Sequence, residues 1–117
     1  MEGIVQLIKS LGDLHDATVT EFLWLPAQLR FELEIEDVYW NFEGEPDYAG
    51  PVKGRFIFSE VSNFSLDMDL AEIGMVYEWT FQEAGSIGYK CEIRFAPAGK
   101  MNIACQAIEC RTDNAPR

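Results

Sequence analysis

The chain reads as a mainly β domain, α+β by count. About seven antiparallel strands form a curved sheet, a sandwich or a partly open barrel, with one N-terminal helix. Three observations predict this. Apolar and polar residues alternate with period two through Leu29–Ile35, Met75–Gln82 and Ile87–Phe95. Clusters of Gly, Pro, Asn and Asp recur at short intervals between such runs. Helical spacing of apolar residues is confined to the first turns of the chain.

That spacing is Ile4, Leu7, Ile8 and Leu11, which predicts an amphipathic helix over 2–11 ended by Gly12 in the left-handed conformation. So short a helix needs a packing partner, and the sheet supplies it. A first strand follows over Ala17–Leu25, with Phe22 and Trp24 on one side and Leu23 and Leu25 on the other, so both of its faces are expected to be covered. Pro26-Ala27-Gln28 turns it into the stretch that organises the rest, LRFELEIEDVYWNF over Leu29–Phe42. There Leu29, Phe31, Leu33 and Ile35 face inward and Arg30, Glu32, Glu34 and Glu36 face water. The apolar parity changes at Glu36-Asp37 to Val38, Trp40 and Phe42, as a β-bulge would require. Glu43–Pro51 is a loop.

Strands are then expected over Val52–Val61, with Phe56 and Phe58 on one parity, and over Phe64–Leu70, reversed by Glu72-Ile73-Gly74. Met75, Tyr77, Trp79 and Phe81 form the inward set of the next strand. After a turn containing Gly85 come Ile87, Tyr89, Cys91, Ile93 and Phe95. Ala96-Pro97-Ala98-Gly99 suits a type I turn, and Met101, Ile103, Cys105 and Ala107 continue the inward face. The whole chain, 1–117, is one domain, with 111–117 a flexible tail.

Composition narrows the function. At 117 residues, 48% hydrophobic and 13% aromatic, the chain can bury a real core. Twenty acidic against nine basic residues give a formal charge of -11, which argues against nucleic acid and against an anionic membrane surface, and favours a basic protein surface. No Lys or Arg occurs from Phe31 through Val52, a window that holds Glu32, Glu34, Glu36, Asp37, Glu43, Glu45 and Asp47. The three cysteines, Cys91, Cys105 and Cys110, have neither metal-knuckle nor disulfide-framework spacing. With no secretory start and no apolar run of membrane length, a cytoplasmic protein is expected.

Candidate chemistry is sparse. His15 is the only histidine, and its neighbour Asp16 is poorly placed to orient it. The pair reads first as a hand-over from helix to strand. Asp67, Asp69 and Glu72 lack the glycine and ligand spacing of a calcium loop, and no metal or cofactor is expected. Phosphate loops, nucleophile elbows and zinc motifs are absent, so no enzymatic activity is expected. Tyr39, Trp40, Phe42 and Tyr48 instead cluster beside the acidic window, the mixture of rigid apolar anchor and charge found at recognition surfaces. Trp40 and Phe42 fit a core as well.

Leu14-His15-Asp16-Ala17, leading from a short helix into a first strand and then a long acidic strand, resembles the entry of several small bacterial families that include toxin-immunity proteins. The resemblance covers those four residues and the strand order. It implies a compact, mostly β cytoplasmic domain that neutralises a partner protein by binding it, without a cofactor.

The expected function is therefore non-enzymatic protein binding through Glu32, Glu34, Glu36, Asp37, Tyr39, Trp40, Glu43, Glu45, Asp47 and Tyr48, with His15 and Asp16 as a motif of unassigned role. Two other readings stand beside it. One is a barrel-like protein enclosing a small apolar ligand among Phe56, Phe58, Tyr77, Trp79 and Phe81. The other is a homodimer that seals its own sheet edge.

Overall fold

The computed structural model describes residues 2–68, 74–83 and 88–112. They form two four-stranded antiparallel sheets and one helix, and the sheets do not close into a barrel. After α1 (Glu2–Ser10), β1 (Val19–Leu25), β2 (Arg30–Ile35), β3 (Gly54–Ser59) and β8 (Ala107–Thr112) make the first sheet, in the order β1-β2-β3-β8. The second is β4-β7-β6-β5, from β4 (Asn63–Asp67), β7 (Lys100–Cys105), β6 (Tyr89–Ala96) and β5 (Met75–Glu83).

Two junctions fold the sheets onto each other. In the first, β3 runs into β4 while its partner β7 runs into β8. The ribbon bends at Glu60, whose φ is +52°, and at Gln106, yet stays paired through Ser62 N–H to Ala104 O (2.8 Å) and Gln106 N–H to Ser59 O (3.1 Å). In the second, the chain entering β1 is stitched to β5 by Asp16 N–H to Val76 O (2.7 Å), Val76 N–H to Ala17 O (2.9 Å) and Val19 N–H to Gly74 O (2.9 Å). Between the sheets, Phe31 meets Phe64 with ring centroids 4.7 Å apart, Phe56 meets Trp79 at 5.2 Å, and Phe22 meets Phe95 at 5.6 Å. Ile8 and Leu11 of the helical stretch and Leu14 join this core.

Several expectations change. The strand expected from Leu29 runs only over Arg30–Ile35, with Leu29 left-handed and exposed before it, and no bulge carries it through Asp37 to Phe42. The Asp37 carboxylate accepts the N–H of Tyr39 (3.0 Å), turning the chain into a 3₁₀ turn at Trp40–Phe42. β1 is not covered on both faces: it is an edge strand with Leu23 and Trp24 partly exposed. In β5 a register shift between Val76 and Glu78 turns Val76 inward and leaves Met75 and Tyr77 outside, so Tyr77 is no part of the inner aromatic set. Phe56, Phe58 and Trp79 of that set are buried against one another.

Arg111 and Thr112, expected in a flexible tail, pair with Arg55 and Gly54 in an eighth strand. The peptide Ala96–Pro97 is cis, which a plain type I turn lacks. Asp69, Leu70, Glu72, Ile73, Gly85, Ile87 and the tail beyond Thr112 lie outside the described residues.

The largest departure is on the outer face of the first sheet, expected to be wet and acidic. Arg55, opposite Glu34 on the neighbouring strand, bonds the carboxylates of Glu32 (2.9 Å), Glu34 (2.9 Å) and Glu21 (2.5 Å). Arg30 lies 2.9 Å from Glu32, and Lys53 lies 3.8 Å from Glu34. Three cations thus meet three carboxylates, and Glu32 is only 7% exposed. The bond from the Thr20 hydroxyl (2.8 Å), with those from Arg55 and the charge of Lys53, holds the Glu34 carboxyl below its usual range against the opposing effect of burial.

A carboxyl whose folded pKa is depressed stabilises the fold above its unfolded value and loses that contribution as pH falls through the folded value. Thr20→Val therefore lowers stability at neutral pH, and its difference from the parent shrinks at a pH well below the usual carboxylate range. Urea unfolding at the two pH values measures this, and a constant difference contradicts it.

Candidate functional site

Asp37 organises the segment that follows β2. It is buried, with Oδ1 accepting the N–H groups of Tyr39 (3.0 Å) and Val52 (3.1 Å) and Oδ2 accepting the Tyr48 hydroxyl in a short hydrogen bond. One carboxylate thus joins the start, middle and end of a loop that would otherwise have no ladder to hold it. Val38 is buried beneath the loop, and Val38 N–H reaches Val52 O at 2.9 Å. Gly54 makes room for it, since a Cβ there would overlap Val38 Cγ1.

What this frame holds outward is the turn Trp40–Phe42 and the acids around it. Trp40 is 42% exposed and Phe42 36%. Glu36, Glu43, Glu45 and Asp47 are exposed, and among the described residues none of the four forms an ion pair. Negative charge neutralised on the sheet therefore persists on the loop.

The ten expected contact residues divide accordingly. Glu36, Trp40, Glu43, Glu45 and Asp47 come together on the loop surface. Glu32, Glu34 and Asp37 are engaged within the chain. Tyr48 is bonded to Asp37, and Tyr39 is packed on the core with its ring 6.4 Å from Phe42. Phe42 belongs to the exposed group although its parity suggested an inward position. The 3₁₀ turn replaces the strand periodicity on which that inference rests.

His15 and Asp16 lie at the junction where the entry to β1 meets β5. Gly12, Asp13, Leu14 and Asp16 all have positive φ, from +56° to +69°, a tight left-handed reversal unusual for non-glycine residues. Leu14 is driven into the core with no exposure, and His15 is left half-exposed outside. Its Nδ1–H donates to Tyr77 O (2.8 Å), since a carbonyl oxygen only accepts. Its Nε2 lies 3.5 Å from Asp16 Oδ2, and its ring stands 5.7 Å from that of Tyr77.

Asp13, His15, Tyr77, Glu78 and Thr80 line an open hollow of about 380 Å³. The sequence placed Tyr77 on the inner face and did not single out Asp13 or Glu78; Tyr77 faces outward only through the register shift in β5.

Burial pushes the cysteine thiols up, Cys91 to about 12 and Cys105 and Cys110 to about 11, which leaves them protonated at neutral pH. Among the described residues no group of three or more His, Cys, Asp and Glu is arranged to hold a metal ion, and no helix is long and apolar enough to cross a membrane. No protein-family model matches the chain, and no curated protein is significantly similar to it.

Asp37→Ala strands the N–H of Val52 and that of Tyr39, and is expected to cost about 3 kcal/mol. Asp37→Asn keeps an acceptor and costs less. Denaturant unfolding gives the energies, and limited proteolysis should show new cleavage within 38–51. A loop as protected in Asp37→Ala as in the parent contradicts this role.

Proposed function

We propose that this chain is a non-enzymatic protein-binding domain that meets a basic partner surface through the loop running from Glu36 to Asp47. The observation that carries the reading is the pairing of two exposed aromatic rings, Trp40 and Phe42, on one short turn, with acids that form no ion pair among the described residues. Long-range attraction by Glu36, Glu43, Glu45 and Asp47 would bring the partner in, and the rings would supply the desolvated contact at the centre. A buried carboxylate holds the turn in place beforehand, so little ordering entropy is lost on docking.

The immunity-like role implied by Leu14-His15-Asp16-Ala17 agrees with such a surface, because neutralising a toxin by binding needs a complementary face and no chemistry. Three cysteines without disulfide partners support action in the cytoplasm.

Site-specific photo-crosslinking from Phe42 in cells that make the protein should give a discrete protein adduct. The adduct should be lost when Glu43, Glu45 and Asp47 are changed together to Lys, and absent when the probe is placed at Ser65 on the opposite sheet. With the reconstituted complex, the association rate should fall steeply with added salt. Equal adducts from both positions, or a salt-independent rate, would overturn the reading.

A further inference from the structure

The exposed ring of Tyr77 and the hollow beside it are not used by the loop surface described above, yet the two adjoin. Asn41, within the turn that carries Trp40 and Phe42, donates from Nδ2 to Leu11 O at 3.2 Å. A Cβ on Gly12 would meet the Asn41 side chain at 3.0 Å. The loop is therefore packed against the left-handed reversal, whose next residues, Asp13 and His15, form one wall of the hollow. The opposite wall is β5, where the register shift turns Tyr77 out to 57% exposure, with Glu78 and Thr80 following.

The lining is selective in its chemistry. Tyr77 offers an aromatic face, Asp13 and Glu78 offer carboxylates, and Thr80 offers a hydroxyl. At about 380 Å³ the hollow lies near the small end of ligand sites, roughly 300–1,000 Å³, a size that suits one long side chain better than a cofactor. Arg94 is drawn to Glu92 at 3.0 Å and stands 3.9 Å from Glu78, so the Glu78 carboxylate is only loosely engaged.

An aromatic face between acids fits a flat, weakly hydrated cation that stacks and forks onto a carboxylate. We propose that this hollow is an arginine-binding subsite, receiving one guanidinium from the basic partner against the ring of Tyr77 and between Asp13 and Glu78. The source of the arginine rests on the protein-binding reading above, whereas the subsite itself does not. His15 is a positioning residue here: its bond to the Tyr77 carbonyl, and its ring against the Tyr77 ring, fix the strand where Tyr77 turns outward.

The sole histidine provides a reporter, because its ring protons give one set of NMR signals. Titration with Nα-acetyl-arginine amide at fixed pH should shift them saturably. The citrulline amide, which has the same shape without the charge, should not, and the lysine amide should bind more weakly. Glu78→Gln, Asp13→Asn and Tyr77→Leu should each weaken binding by roughly threefold or more. Arg94→Gln, which removes the competing cation, should strengthen it.

The fold of each variant is checked by its remaining spectrum, and the exposed Asp13→Asn and Arg94→Gln changes keep the test decisive should Tyr77→Leu disturb β5. No saturable shift, an equal response to citrulline, or tighter binding of lysine would overturn the proposal. If the Phe42 adduct forms while the arginine amide fails, only the subsite falls. If the amide binds and no adduct forms, only the partner reading falls.

Discussion

The backbone seam between residues 16–19 and 74–76 is the constraint on which the arrangement of both sheets and the outer surface depends. At this point the chain must pass from a helix at the margin of the core into the edge strand of one sheet while bonding to the edge strand of the other. Both demands are met only if the direction of the chain reverses within a few residues. The left-handed residues Gly12, Asp13, Leu14 and Asp16 achieve that at a cost in backbone strain, which burial of Leu14 and the seam hydrogen bonds offset. The same junction sets the His15 ring 5.7 Å from that of Tyr77, which the register shift in β5 turns outward. A surface feature thus arises from a requirement of the fold.

Charge follows a similar logic. An acidic strand beside an acidic loop would repel itself, and the structure resolves the conflict by dividing the acids into two groups. On the sheet, Arg55 and its neighbours Arg30 and Lys53 neutralise Glu21, Glu32 and Glu34, and the buried Glu32 gains bonds that meet its desolvation cost. On the loop, Asp37 is spent on backbone N–H groups while the remaining acids stay in water. The net charge of -11 is therefore expressed unevenly, and the loop keeps a larger share of it than composition implies.

How far the sequence revealed this depends on which partner each residue meets. Alternation through Phe31–Ile35, Tyr89–Phe95 and Met101–Cys105 was sufficient because each run has one buried face along its whole length. Asp37 was misleading: a parity change looks the same whether a bulge or a side-chain-capped turn causes it, and the deciding groups, Val52 N–H and the Tyr48 hydroxyl, lie far along the chain. Arg55 is likewise more than twenty residues from Glu32, so its neutralising role depends on strand register. β8 was hidden by the bend at Gln106, after which the inward residues Ile108 and Cys110 fall on the opposite parity from Met101, Ile103 and Cys105. Of the exposed loop, Glu36, Trp40, Glu43, Glu45 and Asp47 were legible. The outward face of Tyr77 was not, because one shifted residue in β5 decides it.

The proposed binding surface is formed by the loop and the adjoining reversal. Amide hydrogen exchange, compared between the free protein and its complex with the partner, tests this most directly. The account predicts slowed exchange across 38–48, 12–16 and 77–80, with the outer face of β6 and β7 unchanged. Protection concentrated on β6 and β7, with the loop exchanging as in the free protein, would contradict it.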